Sequence, residues 1–189
     1  MEFLQQYWWV ILLVVLALIV IWAISTYNSL VGLRNTVEES FSTVDVYLQK
    51  RYDLIPNLVE TVKGYASHES ETLERVIAAR NQGMSATNTE DKIAANQQLT
   101  SALDRLMVVV EQYPDLKADQ GFRDLQAQLA SMEGEIANYR KYYNATVKNF
   151  NNKIEQIPSN IIAGLGNFKR AELFEVTDES VRVNPRVEF

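Results

Sequence analysis

Between Leu33 and Val62, apolar side chains recur at Leu33, Val37, Phe41, Val44, Leu48, Tyr52, Ile55, Val59 and Val62, with polar residues between them. Steps of three and four are helical spacing. Val37 to Leu48 and Leu48 to Val59 are each 11 residues, the repeat of a nearly straight helix rather than of a left-handed coiled coil. The stripe keeps its phase through Pro56. An interior proline removes one backbone donor and clashes one turn back, at a cost of about 3 kcal/mol. No Gly or Asn-Gly turn signal surrounds it, so the pattern predicts a continuous helix kinked at Pro56. The alternative is a tight turn with Pro56 opening a second helix. The first helix is expected to reach about Arg80 through Leu73, Val76 and Ile77, with Gly64 and Ser67 as its weak points.

The stretch NQGMSATN, Asn81 to Asn88, reads as turn chemistry. A second helix is predicted from about Thr89 to Gln112 on Ile93, Leu99, Leu103, Leu106 and Val110, and Tyr113-Pro114-Asp115 stops it. A third runs from about Ala118 to Glu155. Its stripe is Phe122, Leu125, Leu129, Met132, Ile136, Tyr139, Tyr143, Val147, Phe150 and Ile154, and its length would be roughly 55 Å. These stripes need one another. The expected fold is therefore all-α: an N-terminal transmembrane helix, then an up-and-down bundle of three long helices, or four if Pro56 is a turn. The expected organisation is an anchor over 1–26, a bundle over 27–156, and an apolar patch with an extended tail over 157–189.

The anchor rests on Tyr7 to Ile24, YWWVILLVVLALIVIWAI, in a chain with no charge from Phe3 to Leu33. A bilayer-spanning helix needs about 20 apolar residues. Trp8, Trp9 and Trp22 sit at its two ends, as an interfacial aromatic belt does. A cleaved signal would carry a basic start and a shorter apolar core. Arg34 follows the span and no Lys or Arg precedes it, which places the body of a single-pass protein in the cytoplasm.

Composition removes several chemistries. There is no cysteine and a single histidine, His68, so thiolate sites, His-pair zinc sites and Glu-x-x-His di-iron sites are excluded. His68, in SHESE, reads as a surface or helix-cap residue. Glu133 and Glu135 read as a solvated helix face rather than a catalytic pair. No Gly-rich phosphate loop is present, and a net charge of −6 without a basic cluster argues against nucleic acid. No enzyme activity, cofactor, metal or small-molecule substrate is expected.

Two surfaces carry partner expectations. Leu106, Met107, Val108, Val109 and Val110 are apolar on every helix face, and one helix of a small bundle cannot bury all five. Leu106 and Val110 share a face, which pushes Val109 outward. With Tyr139 and Tyr142, these residues are candidates for self-association. Ile161, Ile162, Leu165 and Phe168 form one face of a short helix, followed by Lys169 and Arg170. That segment would lie on a bilayer surface or cap the open end of the bundle.

Several strings resemble the LemA family of bacterial membrane-anchored helical proteins: KRYDLIPNLV (Lys50–Val59), VIAARN (Val76–Asn81), EQYPDLKAD (Glu111–Asp119), the long stretch from Phe122 to Asn151, and IEQIPSNIIAGLGNF (Ile154–Phe168). The likeness extends from Tyr27 to Phe174, with the tail from about Thr177 outside it. The resemblance implies an anchor and an all-helical body and brings no catalytic residues. Asp53, Pro56, Asn57, Pro114, Asp115 and Asn144 then read as kink, turn and packing residues. Two functions fit: a self-assembling homo-oligomeric scaffold on the lipid bilayer, or a membrane-tethered adaptor or sensor presenting partners to another membrane protein such as a protease or kinase.

Overall fold

The computed structural model describes residues 2–174, with side chains from residue 7. Among the described residues the secondary structure is all helical: α1 (Glu2–Tyr65), α2 (Ser70–Ser85), α3 (Thr89–Val110), α4 (Pro114–Ala118), α5 (Gln120–Glu155) and α6 (Ser159–Leu165). The helix α1 passes through Pro56 without reversing. The reversal begins ten residues later, at Ala66–Glu69, and α2 is a separate helix. The expected run to Arg80 is therefore two helices, and the body packs four long segments without a turn at Pro56.

Cross-links fix the course of the chain. Ser40 meets Thr146, Tyr47 meets Tyr139 and Tyr65 meets Asp119, so α5 runs antiparallel to α1. Arg80 on α2 meets Tyr52, while Lys92 and Asn96 on α3 meet Asp45 and Arg51. Thus α2 returns toward the N-terminal half of α1, α3 goes out again, and α5 comes back. Helix α1 packs on both α5 and α2, and α2 packs on α3, but α3 and α5 do not pack directly against each other.

All nine members of the α1 stripe lie in the core or against its edge, with Val44, Leu48, Ile55 and Val62 wholly buried. Leu99 and Leu106 from α3 and Ile136 and Val147 from α5 complete the same core. Truncating such a side chain to alanine typically costs about 2–5 kcal/mol.

Local signals start the helices. The Asn88 side chain accepts from Asp91 N at 2.8 Å and Asp119 from Phe122 N at 2.8 Å, capping α3 and α5. Pro114 opens α4, where its missing N–H costs nothing. The α1–α2 reversal is held from outside. Tyr113 Oη donates to Glu69 at 3.1 Å and Tyr65 Oη to Asp119 at 3.1 Å. Gly83 is inside α2 rather than in a turn. A Cβ there would meet the Tyr52 ring at 2.5 Å, so the glycine lets α1 and α2 approach.

Candidate functional site

Three features stand out, and the first is built around Pro56. Proline has no N–H for the carbonyl four residues back, which belongs to Tyr52. That carbonyl accepts instead from Arg80 Nε on α2, at 2.9 Å. The Tyr52 ring lies over Gly83 on the same helix. Pro56, Asp53 and Asn57 are themselves exposed, and Asp53 accepts from Gln49 Nε2 at 3.0 Å. A proline thus leaves an acceptor on α1, and a cation on α2 fills it.

The second feature is a polar centre. Arg51 is buried at 4% exposure between α1, α3 and α5. Its Nη1 donates to Asn96 Oδ1 at 2.9 Å and to Thr100 Oγ1 at 3.1 Å, and lies 2.9 Å from Glu133 Oε2. Glu133 Oε2 lacks the alignment of a hydrogen bond, so the Arg51–Glu133 contact is held by charge. Burial pushes the Arg51 guanidinium below its ordinary value, and Glu133 pulls it back up. Arg140 stands 4.0 Å from the other Glu133 oxygen and over the Phe174 ring. The cluster bridges α3 and α5 where their backbones do not meet.

The same seam is closed by the chain after α6. The backbone of Ala171 pairs with both ends of the Asn151 amide at 2.9 Å. That of Phe174 pairs with both ends of the Asn144 amide, at 2.7 and 3.0 Å. Two asparagines seven residues apart on α5 thus hold an extended strap by its backbone. Tyr143 Oη donates to Glu172 O at 2.8 Å, and burial pushes that phenol up to about 12. The clue in the sequence was the asparagine density of α5. Their role as a clamp could not be read without the strap.

The third feature is the end of the bundle nearest the apolar stretch. Residues 7–24 are almost entirely exposed, and this part of α1 is long and apolar enough to cross a membrane, with a mean hydropathy of 2.8. Trp8, Trp9 and Trp22 all project outward. Burial begins at Thr26 and Leu30. Here α6 packs on α1, with Ser159 and Ala163 as its buried residues. Phe168 packs edge-on against Tyr27 at 5.5 Å and against Phe150 at 6.3 Å, with Arg34 over its ring. The expected single face of α6 is therefore split. Phe168 turns into the bundle, Ile162 is half-buried, and Ile161 and Leu165 face out. Lys169 is exposed, and Arg170 pairs with Glu155.

The other expected residues fall as follows. Leu106 and Val110 are buried, Met107 and Val109 half-buried, and Val108 projects at 69% exposure. Val108, not Val109, is the outward member, because at 3.6 residues per turn it lies opposite the midpoint of the buried Leu106 and Val110. Tyr139 stacks on Tyr47 at 4.8 Å, while Tyr142 is exposed. Pro114 and Asp115 open α4. His68 is exposed in the α1–α2 reversal, Glu133 belongs to the Arg51 cluster, and Glu135 is half-buried. No group of three metal-binding side chains occurs among the described residues.

An apolar, membrane-length helix continuing into a helical body defines a membrane-associated helical protein. Residues 40–189 match the LemA family, and the chain belongs to it. The match extends through the tail that the motif resemblance had left out. The chain is 29% identical over 175 residues to Magnetosome protein MamQ 2 of Paramagnetospirillum magneticum, covering 79% of this chain and 64% of the relative. It is 26% identical over 174 residues to Magnetosome protein MamQ of Magnetospirillum gryphiswaldense, covering 78% and 64%. It is 23% identical over 152 residues to Protein LemA of Metamycoplasma hominis, covering 80% and 69%. The chain thus spans under two thirds of the length of the MamQ relatives.

Proposed function

We propose that the protein is a non-enzymatic scaffold of the bacterial inner membrane, single-pass with its body in the cytoplasm, whose copies assemble laterally on the bilayer. The observation that carries this is the continuity of α1, which runs from Glu2 to Tyr65 with no break between the apolar stretch and the body. At 1.5 Å per residue it is about 96 Å of one rod. A flexible linker would let a tethered adaptor search for partners. A rod instead gives every copy one orientation to the membrane, so that weak side contacts repeat from copy to copy. Val108 and Tyr142 are outward apolar positions on two different helices and suit such contacts. Relatives named as magnetosome proteins suit a part in building a cellular structure more than the conversion of a substrate.

Size-exclusion chromatography with light scattering, on the full chain in mild detergent, tests this. A large, uniform particle supports the scaffold. A monomer or dimer that carries a second membrane protein with it supports the adaptor.

A further inference from the structure

We propose that α6 and the residue before Pro158 form a second membrane contact: Ile157, Ile161 and Leu165 enter the interfacial layer of the same bilayer that α1 crosses. The inference rests on the reading of Tyr7–Ile24 as a membrane span.

These three residues are the most exposed large apolar side chains of the C-terminal segment, at 84%, 59% and 82%. Ile161 and Leu165 stand four residues apart on α6 and share one side, and Ile157 is exposed in the turn that leads into it. The opposite side of α6, Ser159 and Ala163, is buried in the bundle. The segment is thus amphipathic in an inverted sense: small residues face the protein and large apolar ones face out. Exposed apolar side chains grouped in this way mark a contact with a membrane or a partner.

The height of the segment identifies what covers it. A Cβ on Gly166 would stand 3.2 Å from the Tyr27 ring, and Phe168 packs on the same ring, so α6 ends level with Tyr27. Tyr27 lies three residues beyond Ile24, about 4.5 Å along the helix axis. The headgroup layer on each side of a bilayer is roughly 5–7 Å thick. The Leu165 end of α6 therefore sits within that layer, beside α1. Interfacial helices bury their apolar face at this depth. Arg34 and Lys169 lie at the same end of the bundle, where anionic headgroups favour cations.

The absence of cysteine from the sequence makes a direct test simple. Single variants Leu165→Cys, Ile161→Cys, Trp22→Cys and Val108→Cys of the full chain are labelled with an environment-sensitive fluorophore. They are reconstituted in phosphatidylcholine vesicles with and without lipid carrying a doxyl quencher near the top of the acyl chain. All four positions are exposed, so labelling leaves the core untouched. The expected result is loss of emission at Leu165 and Ile161 comparable to that at Trp22, with Val108 unaffected. Quenching at Trp22 alone overturns the α6 contact and leaves the span standing. A blue-shifted but unquenched Leu165 label also overturns it, since that result places the face against protein. No quenching at Trp22 removes the span, and this proposal with it.

Discussion

The pairing of Pro56 with Arg80 can be tested by a double-mutant cycle. Arg80→Met removes the Nε donor that meets Tyr52 O at 2.9 Å and keeps most of the aliphatic stem. In the parent chain the carbonyl then has no donor, because Pro56 offers none. A hydrogen bond from a charged group is worth about 1.5–3 kcal/mol net, and an unsatisfied buried acceptor costs about 1–3 kcal/mol. Solvent can reach part of this site, since Pro56 is exposed. The lower end of the range, about 1.5 kcal/mol, is the expected loss. With Pro56→Ala, the new amide can donate to the same carbonyl, as in any helix interior. Arg80→Met should then cost only about 0.5 kcal/mol in lost packing. The expected coupling is about 1 kcal/mol, above the additivity error of distant sites. The assay is urea unfolding followed by circular dichroism on the body beginning at Thr26, which keeps every buried residue described. Additive effects of the two substitutions would refute the idea that Arg80 replaces the missing donor. Collapse of the helix in Pro56→Ala would refute the continuity of α1.

Three other outcomes follow from the same geometry. Arg51→Ala should destabilise the body by about 3 kcal/mol, because it leaves Glu133, Asn96 and Thr100 without their cation; the same urea titration measures it. Val108→Glu should reduce particle size by light scattering while leaving the thermal midpoint of the body unchanged, since the side chain is 69% exposed in the chain alone. Tyr143 holds its proton up to about 12, above the value of about 10 for an unfolded tyrosine. Its contribution is therefore complete below pH 10 and lost as pH rises from 10 to 12. Tyr143→Phe should show a shallower decline of stability across that window.

The α1 stripe, the two later long helices and the apolar span were legible because each repeats a local rule many times. Every stripe position of α1 and α3 is in the core or at its edge, and so is every one of α5 except Leu125 and Met132, which are half-buried. The break at Ala66–Glu69 was legible only as the weak points Gly64 and Ser67 and not as a reversal, for a definite reason. Ala66, Leu73 and Val76 are all buried, so the apolar pattern runs across the gap. What holds the reversal is Tyr113 on Glu69 and Tyr65 on Asp119, contacts between residues about fifty apart in sequence. Gly83 was read as a turn because its reason, the Tyr52 ring, lies on another helix. Arg51 entered the sequence reading only as part of the KRYDLIPNLV string. Its burial depends on partners from α3 and α5 that no local pattern displays.

The position of that one break decides what the C-terminal segment can reach. A first helix running unbroken to Arg80 would have left only two later reversals, and α5 would have ended far from the membrane. With the reversal at Ala66–Glu69 the chain turns three times, and α5 returns toward its starting point. Helix α5 has 36 residues against 16 in α2 and 22 in α3, so it extends past their ends along α1. It delivers Phe168 to Tyr27 and α6 to the flank of α1. A single spanning helix fixes the height of a body above a bilayer but leaves it free to rotate about the helix axis. A contact through Leu165 and Ile161 beside that helix removes the rotation. On the proposed membrane contact, each copy would present Val108 and Tyr142 in set directions, the geometry that the proposed lateral assembly requires. The Leu165→Glu chain should therefore keep its anchor yet lose uniform particle size, and an unchanged particle would separate assembly from the membrane contact.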